Sequence, residues 1–506
     1  MHPRHDEQHP PAGAGPAEGP PPPQRRLALS LVFTSAAEQL ALLRSRAVSA
    51  VELVREYIAQ VERVNPRVNA IVTFLPERAL EEARRLDDDR HAARGPLAGL
   101  PIAFKDVVPT RGIRTTFGSP IYADHVPAED HAMVERVKAA GAITLGKTNT
   151  PEFAAGSQTF NPVFGATLNP YDATRTCGGS SGGAAAAVAC GMLPFADGSD
   201  LGASLRNPGN FCNVVGLRPT PGRVPAYPAA DLWNTLTVMG PIGRTAADAA
   251  LLLSAMAGPD IRSPISIAEP GGTFARPLER DFRGVRVAWW PMRGARLAGG
   301  DAMPVEPRVT AVLESRRKAF EALGCIVEEA HPDLSGADEA FHVLRAVSFA
   351  ERYGKLMGEH RGKMKDTVIW NIEEGLRLTG PQVGRAAALR SAIYDRMRRF
   401  MERYEFLLMP VNQVAPFAID REYPDEIDGE KQSNYLDWMK SCYYITMTSH
   451  PAASVPAGFT ADAPPLPVGL QIVGRYRDDF GVLQLAHAFE QETQAWKTRP
   501  PLGDPR

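Results

Sequence analysis

The chain offers neither a zinc ribbon nor a disulfide framework. Its five cysteines, Cys177, Cys190, Cys212, Cys325 and Cys442, form no C-x-x-C pair, and they read as core thiols of a protein in a reducing cytoplasm. The eleven histidines are dispersed as well, and the H-x-x-x-H spacing of His5 and His9 falls in a Pro/Gly-rich stretch. No metal or other cofactor is therefore expected. Long apolar runs are missing too: stretches such as Ala249–Ala257 are too short to span a bilayer. Residues 1–26 lack the apolar centre of a secretory signal and read as a disordered Pro/Gly-rich tail. A formal net charge of -2 removes any broad electrostatic reason to bind nucleic acid or an anionic membrane. What is plentiful is core: 44% of 506 residues are hydrophobic, enough for one large body acting on a small molecule.

Helix and strand signals alternate along that body. Ser49-Ala-Val-Glu52 has the form of a capping box, and Val54, Ile58, Val61 and Val64 follow at helical spacing until Pro66. Strands are expected at Ala70–Phe74, Leu100–Phe104, Ala142–Leu145, Val285–Trp290, Cys325–Glu328 and within Leu466–Gly474. Helices are expected from Arg84 to Arg94, over Ala132–Ala140, and over Arg308–Leu323 closed by Gly324. This rhythm predicts an α/β fold with a large mixed sheet covered by helices on both faces. Between about 334 and 444 the text turns to polar helices and a charged loop, which predicts a helical insertion over the active site. Pro-, Gly- and Val-rich text returns at Pro451, so one interrupted domain over 27–495, followed by a short tail over 496–506, accounts for the pattern.

Two serine loops carry the chemistry. Gly178-Gly-Ser-Ser-Gly182 formally fits G-x-S-x-G, but an α/β-hydrolase elbow needs an apolar strand before it, and Asp172-Ala-Thr-Arg-Thr176 is polar. A phosphate loop is equally unsupported, because G-x-x-x-x-G-K-[ST] is absent. Downstream, Gly198-Ser-Asp-Leu-Gly-Ala-Ser-Leu-Arg-Asn-Pro208 has the small residues that let successive backbone amides approach an oxyanion, with Ser204 beside them. No histidine lies between His131 and His331, so a lysine is the candidate base. Lys105, flanked by Pro-Ile-Ala-Phe and Val-Val, fits if burial brings its pKa from about 10.4 to near neutrality, at a cost of about 4 kcal/mol.

The segments Gly99-Leu-Pro-Ile-Ala-Phe-Lys-Asp106, Thr115-Thr-Phe-Gly-Ser119, Gly146-Lys-Thr-Asn-Thr-Pro-Glu-Phe153, Gly178-Gly-Ser-Ser-Gly-Gly183 and the Ser204 loop occur in this order. Gly216-Leu-Arg-Pro-Thr-Pro-Gly-Arg-Val224, Gly240-Pro-Ile-Gly-Arg-Thr245 and Leu466–Gly474 follow. Together they resemble the amidase signature family over about 35–490, apart from the insertion. The resemblance implies an amidase with a Ser-cis-Ser-Lys triad: Ser204 as nucleophile, Ser180 on a cis peptide as proton relay, and Lys105 as base. It implies an oxyanion hole at Leu201, Gly202, Ala203 and Ser204, with Ser181, Asp200 and Arg206 in support and Asn149 and Glu152 in structural roles. Many family members carry glycine where this chain has Ala203, which would disfavour a positive φ there.

The signature does not select a substrate. Aromatic residues of the flanking loops, among them Phe117, Trp233, Trp370 and Tyr443, with Phe341, Tyr435, Trp438 and Tyr444, offer apolar pocket surface. Arg345 or Arg377 offers a partner for a carboxylate. The reading is a small to medium apolar or aryl amide as substrate, with aryl carbamate or ester alongside. The alternatives are the glutaminase component of a tRNA-dependent amidotransferase and an inactive binding homologue. The N-terminal helices offer a homodimer contact.

Overall fold

The computed structural model describes residues 31–89, 95–292, 295–296 and 302–503. The expected tail over 1–26, the His5/His9 pair and the end of the helix expected to reach Arg94 lie outside the described residues. Strands of four or more residues, in chain order, are β1 Ile71–Phe74, β2 Pro101–Lys105, β3 Ile143–Thr148, β4 Phe195–Asp200, β5 Val215–Arg218, β6 Val238–Gly243, β7 Arg286–Trp289, β8 Ile326–Glu329, β9 Phe406–Pro410, β10 Ala452–Phe459 and β11 Pro467–Gly474. Eight of them form one mixed sheet in the order β8-β7-β9-β11-β10-β5-β6-β4. β8, β7 and β9 run parallel to one another, and the remaining neighbours pair antiparallel. A smaller sheet, β1-β3-β2, packs its β2 edge beside β4. The ends of β2 and β4 thereby meet, which brings Lys105 to the Ser204 loop.

Local sequence accounts for most elements. Ser49 Oγ accepts from Glu52 N at 3.1 Å and Glu52 Oε2 accepts from Ser49 N at 2.8 Å, closing the expected capping box. The helix Ala50–Val68 runs past Pro66 and ends at Asn69 with φ 55°, because a proline one turn from the end removes only one intrahelical bond. The expected helix Arg308–Leu323 is two helices, Pro307–Glu314 and Arg317–Ala322, broken at Ser315–Arg316. There Arg316 Nε turns aside to the Ala457 carbonyl.

The stretch expected as an insertion over 334–444 contains a central strand, β9, paired on both sides. The strand Phe406–Pro410 is a short, wholly apolar run that periodicity cannot tell from a buried helix segment. Outside the sheet ride the helices Ala337–Tyr353, Asp366–Arg377 and Gly380–Arg403. The stretch expected as a tail from 496 is docked on the body, with Thr498 O accepting from Tyr171 Oη at 2.7 Å. Among the described residues no helix is long and apolar enough to cross a membrane.

Candidate active site

The glycines of the first serine loop are there for close approach. A Cβ on Gly183 would lie 2.3 Å from Asn149 N, and one on Gly182 would lie 2.3 Å from Thr159 Oγ1. The helix Gly182–Ala189, buried at every residue, is thereby pressed against the smaller sheet. The loop it anchors has a cis peptide between Gly179 and Ser180.

Lys105, at the end of β2, is fully buried. Its Nζ lies 2.7 Å from Ser180 Oγ, 2.9 Å from Ser181 Oγ and 3.0 Å from Ser199 Oγ. Burial pushes its pKa down to about 7, against the opposing pull of the Asp197 and Asp200 carboxylates. Three hydroxyl oxygens match the three N–H bonds of an ammonium. A neutral amine has one lone pair and two N–H bonds, so one of those hydroxyls then donates to it instead.

Ser199 and Asp197 were not singled out from sequence. They lie two apart on β4 and so share a face, and both meet Lys105: Asp197 Oδ1 accepts from the Lys105 backbone N–H at 3.0 Å. Burial raises the Asp197 carboxyl, and its Oδ2 has no hydrogen-bond partner among the described residues. Lys147, also fully buried, is lowered by burial and donates to Val108 O at 2.6 Å and to the Thr110 and Thr115 hydroxyls.

The Ser204 loop has its carbonyls tied down. Asp200 O accepts from Arg218 Nη1, Gly202 O from Arg206 Nη2 at 2.8 Å, and Ala203 O from Asn207 N at 2.7 Å. In a planar trans peptide the N–H points away from its C=O, so the amides of Leu201, Ala203 and Ser204 are turned away from these partners. None of the amides of Leu201, Gly202, Ala203 and Ser204 has an acceptor among the described residues. Unpaired amides on one small loop form a ready receptor for developing negative charge. Ala203 does not have a positive φ, so its Cβ brings no backbone penalty.

Asp200 and Arg206 hold this loop from beneath. Arg206 makes a two-pronged pair with Asp200, at 3.0 Å on both Nε and Nη2, and donates to Cys442 O and Gln471 Oε1 at 2.8 Å. The arginines Arg206 and Arg218 keep the buried Asp200 below the usual carboxylate range despite its desolvation. Glu152 accepts from Ser119 Oγ and from the Lys365 backbone N–H, and Asn149 Nδ2 donates to Thr167 Oγ1 at 3.0 Å. Both bind loop to loop.

A cavity of about 480 Å³ opens onto Ser180 and the whole loop Leu201–Ser204. Of the expected pocket residues Phe117, Phe341 and Tyr435 line it. Phe117 and its neighbours in the wall, Phe153 and Ala154, all hold positive φ, between 51° and 57°. Such left-handed residues cluster where a site fixes its shape. The other expected aromatics stand outside the lining, Trp438 and Tyr444 being fully buried. Trp233 is 71% exposed and stands outside the lining. Trp370 packs behind the wall, edge-on to Tyr435 at 6.0 Å. Tyr443 is fully buried, stacked at 4.1 Å behind Phe341, and it is Phe341 that meets the cavity. Arg377 is exposed and paired with Glu374, whereas Arg345 lines the cavity.

Asp338, His342 and Asp437 bring three potential metal-donor atoms within 4.8 Å of one another. Protein donors already serve both carboxylates: Tyr443 Oη donates to Asp338, and Ser433 N and Asn434 Nδ2 donate to Asp437.

The chain is similar to known proteins over most of its length. The family model described as Amidase matches residues 52–483. An acylamidase of Rhodococcus erythropolis is 39% identical over 477 residues, covering 93% of this chain and 98% of that protein. The A-type component of the glutamyl-tRNA(Gln) amidotransferase of Moorella thermoacetica is 37% identical over 501 residues, covering 94% and 100%. The crystal structure of a bacterial aryl acylamidase of the amidase signature family superposes with a TM-score of 0.85 at 29% identity, over 94% of this chain and 99% of that one. The chain belongs to the amidase signature family and is an amidohydrolase.

Proposed function

We propose that this enzyme hydrolyses the C–N bond of a small to medium apolar or aryl amide, with Ser204 as nucleophile, Ser180 as proton relay and Lys105 as base. The observation that carries the reading is Lys105 Nζ, buried, brought near neutrality and 2.7 Å from Ser180 Oγ, beside a loop of unpaired amides. Neutral Lys105 takes the Ser180 proton while Ser180 takes that of Ser204, whose oxygen attacks the carbonyl carbon. The amides of residues 201–204 receive the oxyanion. As the tetrahedral intermediate collapses, the proton returns through Ser180 to the leaving amine, and water then cleaves the acyl-enzyme by the same route. A wall built on Phe117, Phe153, Phe341 and Phe349 supports an apolar acyl or aryl group. Aryl carbamates and esters share the acyl chemistry and extend the class.

The identity to glutamyl-tRNA(Gln) amidotransferase components favours a second reading, a glutaminase that passes ammonia to a partner. Against it, Thr446-Met-Thr-Ser-His-Pro451 departs from the Asn-Leu-Ala-Gly-type text expected of such a component. One assay separates them: amine release from an acyl p-nitroanilide, an aryl carbamate, a simple primary amide and glutamine, with Ser204→Ala alongside. Aryl turnover that falls by a factor of about 10⁴ or more in the variant is expected. Turnover of glutamine alone would establish the second reading. Turnover that survives in Ser204→Ala would refute the assigned nucleophile.

A further inference from the structure

Arg345 stands in the wall of the catalytic cavity with no carboxylate to answer it. It is 6% exposed. Its Nη1 donates to Asn371 Oδ1, and its guanidinium carbon lies 4.3 Å from the Phe349 ring centroid and 5.4 Å from that of Tyr435. No acidic side chain comes within ion-pair distance of it among the described residues. Of the other buried arginines, Arg206, Arg218 and Arg223 each face an aspartate at 3.0 to 3.4 Å, and Arg244, which stands outside the cavity, donates to the Thr34 and Val32 carbonyls instead. Buried charges are ordinarily paired because desolvation is costly, so the isolation of this cation in a ligand cavity is itself informative.

The surroundings fix the arginine in place. Asn371 Nδ2 donates to Tyr435 Oη at 2.6 Å and to Thr367 O at 2.5 Å, which leaves its Oδ1 facing Arg345. A second cation from the same helix, Arg352, also lines the cavity. The sole acidic lining residue among those described is Asp231, whose Oδ1 accepts from Trp233 N. Phe341, whose ring a Cβ on Gly202 would touch at 3.1 Å, lies one helical turn before Arg345. The backbone of Arg345 is thus about 6 Å beyond that of Phe341 along the helix, and both side chains line the same cavity.

We infer that Arg345 is a substrate-recognition residue that receives a carboxylate carried by the amide substrate, a few bonds from the scissile carbonyl. The inference rests on the amidase reading and narrows its substrate class to amides with an anionic end. Phe349 and Tyr435 flank the site and give the spacer apolar surface, while the planar fork of Arg345 is suited to a carboxylate.

The test is kinetic, with matched pairs of substrates: butyryl against succinyl p-nitroanilide, and acetanilide against 4-acetamidobenzoate. Wild-type enzyme is expected to favour the anionic member of at least one pair, by kcat/KM and mainly through KM. Arg345→Gln should lower that anionic-to-neutral ratio at least 30-fold, and Arg345→Lys should restore part of it. A wild type that prefers the neutral member of both pairs overturns the inference, as does a ratio that Arg345→Gln leaves unmoved. Should Arg345→Gln be insoluble, the wild-type ratios and Arg345→Lys decide alone. Absence of Ser204-dependent turnover on every substrate would instead be a failure of the amidase reading.

Discussion

The acid limb of the pH profile should report Lys105. An ordinary lysine at pH 7 is neutral in roughly one molecule in 3000, whereas a group with its pKa near 7 is neutral in about half. Burial supplies that difference of about 5 kcal/mol: Lys105 is fully enclosed, and the nearest acids, Asp197 and Asp200, oppose the change without cancelling it. In the proposed mechanism the neutral amine is the active form, so kcat/KM is expected to rise with pH. It should be about half its plateau at pH 7, about one-eleventh at pH 6 and about one-hundredth at pH 5. Asp197→Asn keeps an oxygen to accept the Lys105 backbone N–H but removes a charge that favours the ammonium, so its limb should move to lower pH. The assay is initial-rate release of p-nitroaniline from an acyl p-nitroanilide between pH 5 and 9, followed away from the absorbance of the substrate. A profile flat across that range would refute the assignment, and so would a limb that Asp197→Asn moves upward.

Other consequences follow from contacts on the same loops. Arg206→Met leaves the buried Asp200 without its two-pronged partner and should cost about 3–5 kcal/mol by urea unfolding; Arg206→Lys should recover little, since one ammonium cannot replace the guanidinium's contacts with Asp200, Gly202 O, Cys442 O, Gln471 and Thr446. Gly183→Ala drives a Cβ to 2.3 Å from Asn149 N and should lose at least about 1–3 kcal/mol. By contrast, Gly384→Ala, in the helix Gly380–Arg403 with nothing within 4 Å of the new Cβ, should raise stability by about 0.5–1 kcal/mol in the same measurement. Ser199→Ala removes one of the three hydroxyls around Lys105 Nζ and should lower kcat/KM about tenfold with little change in melting temperature.

The sequence by itself determined most of the elements and the family. Capping at Ser49 and alternating apolar runs placed helices and strands because these signals are local, and the ordered motifs, through their family resemblance, singled out Lys105, Ser180 and Ser204 as candidates. It misjudged what depends on neighbours far along the chain. Phe406–Pro410 is a central strand only because β7 and β11 flank it. Trp233, Trp370 and Tyr443 looked alike as aromatic text, yet one is exposed, one packs behind the wall and one backs Phe341, since which face of an aromatic meets a cavity is set by packing. Ser199 and Asp197 gained their roles when the edges of two sheets met, and Arg218 when β5 and β4 came into one sheet. Tertiary structure alone decided the electrostatics: the isolation of Arg345 and the near-neutral Lys105 both come from removing water around a charge, and desolvation is a property of the assembled fold.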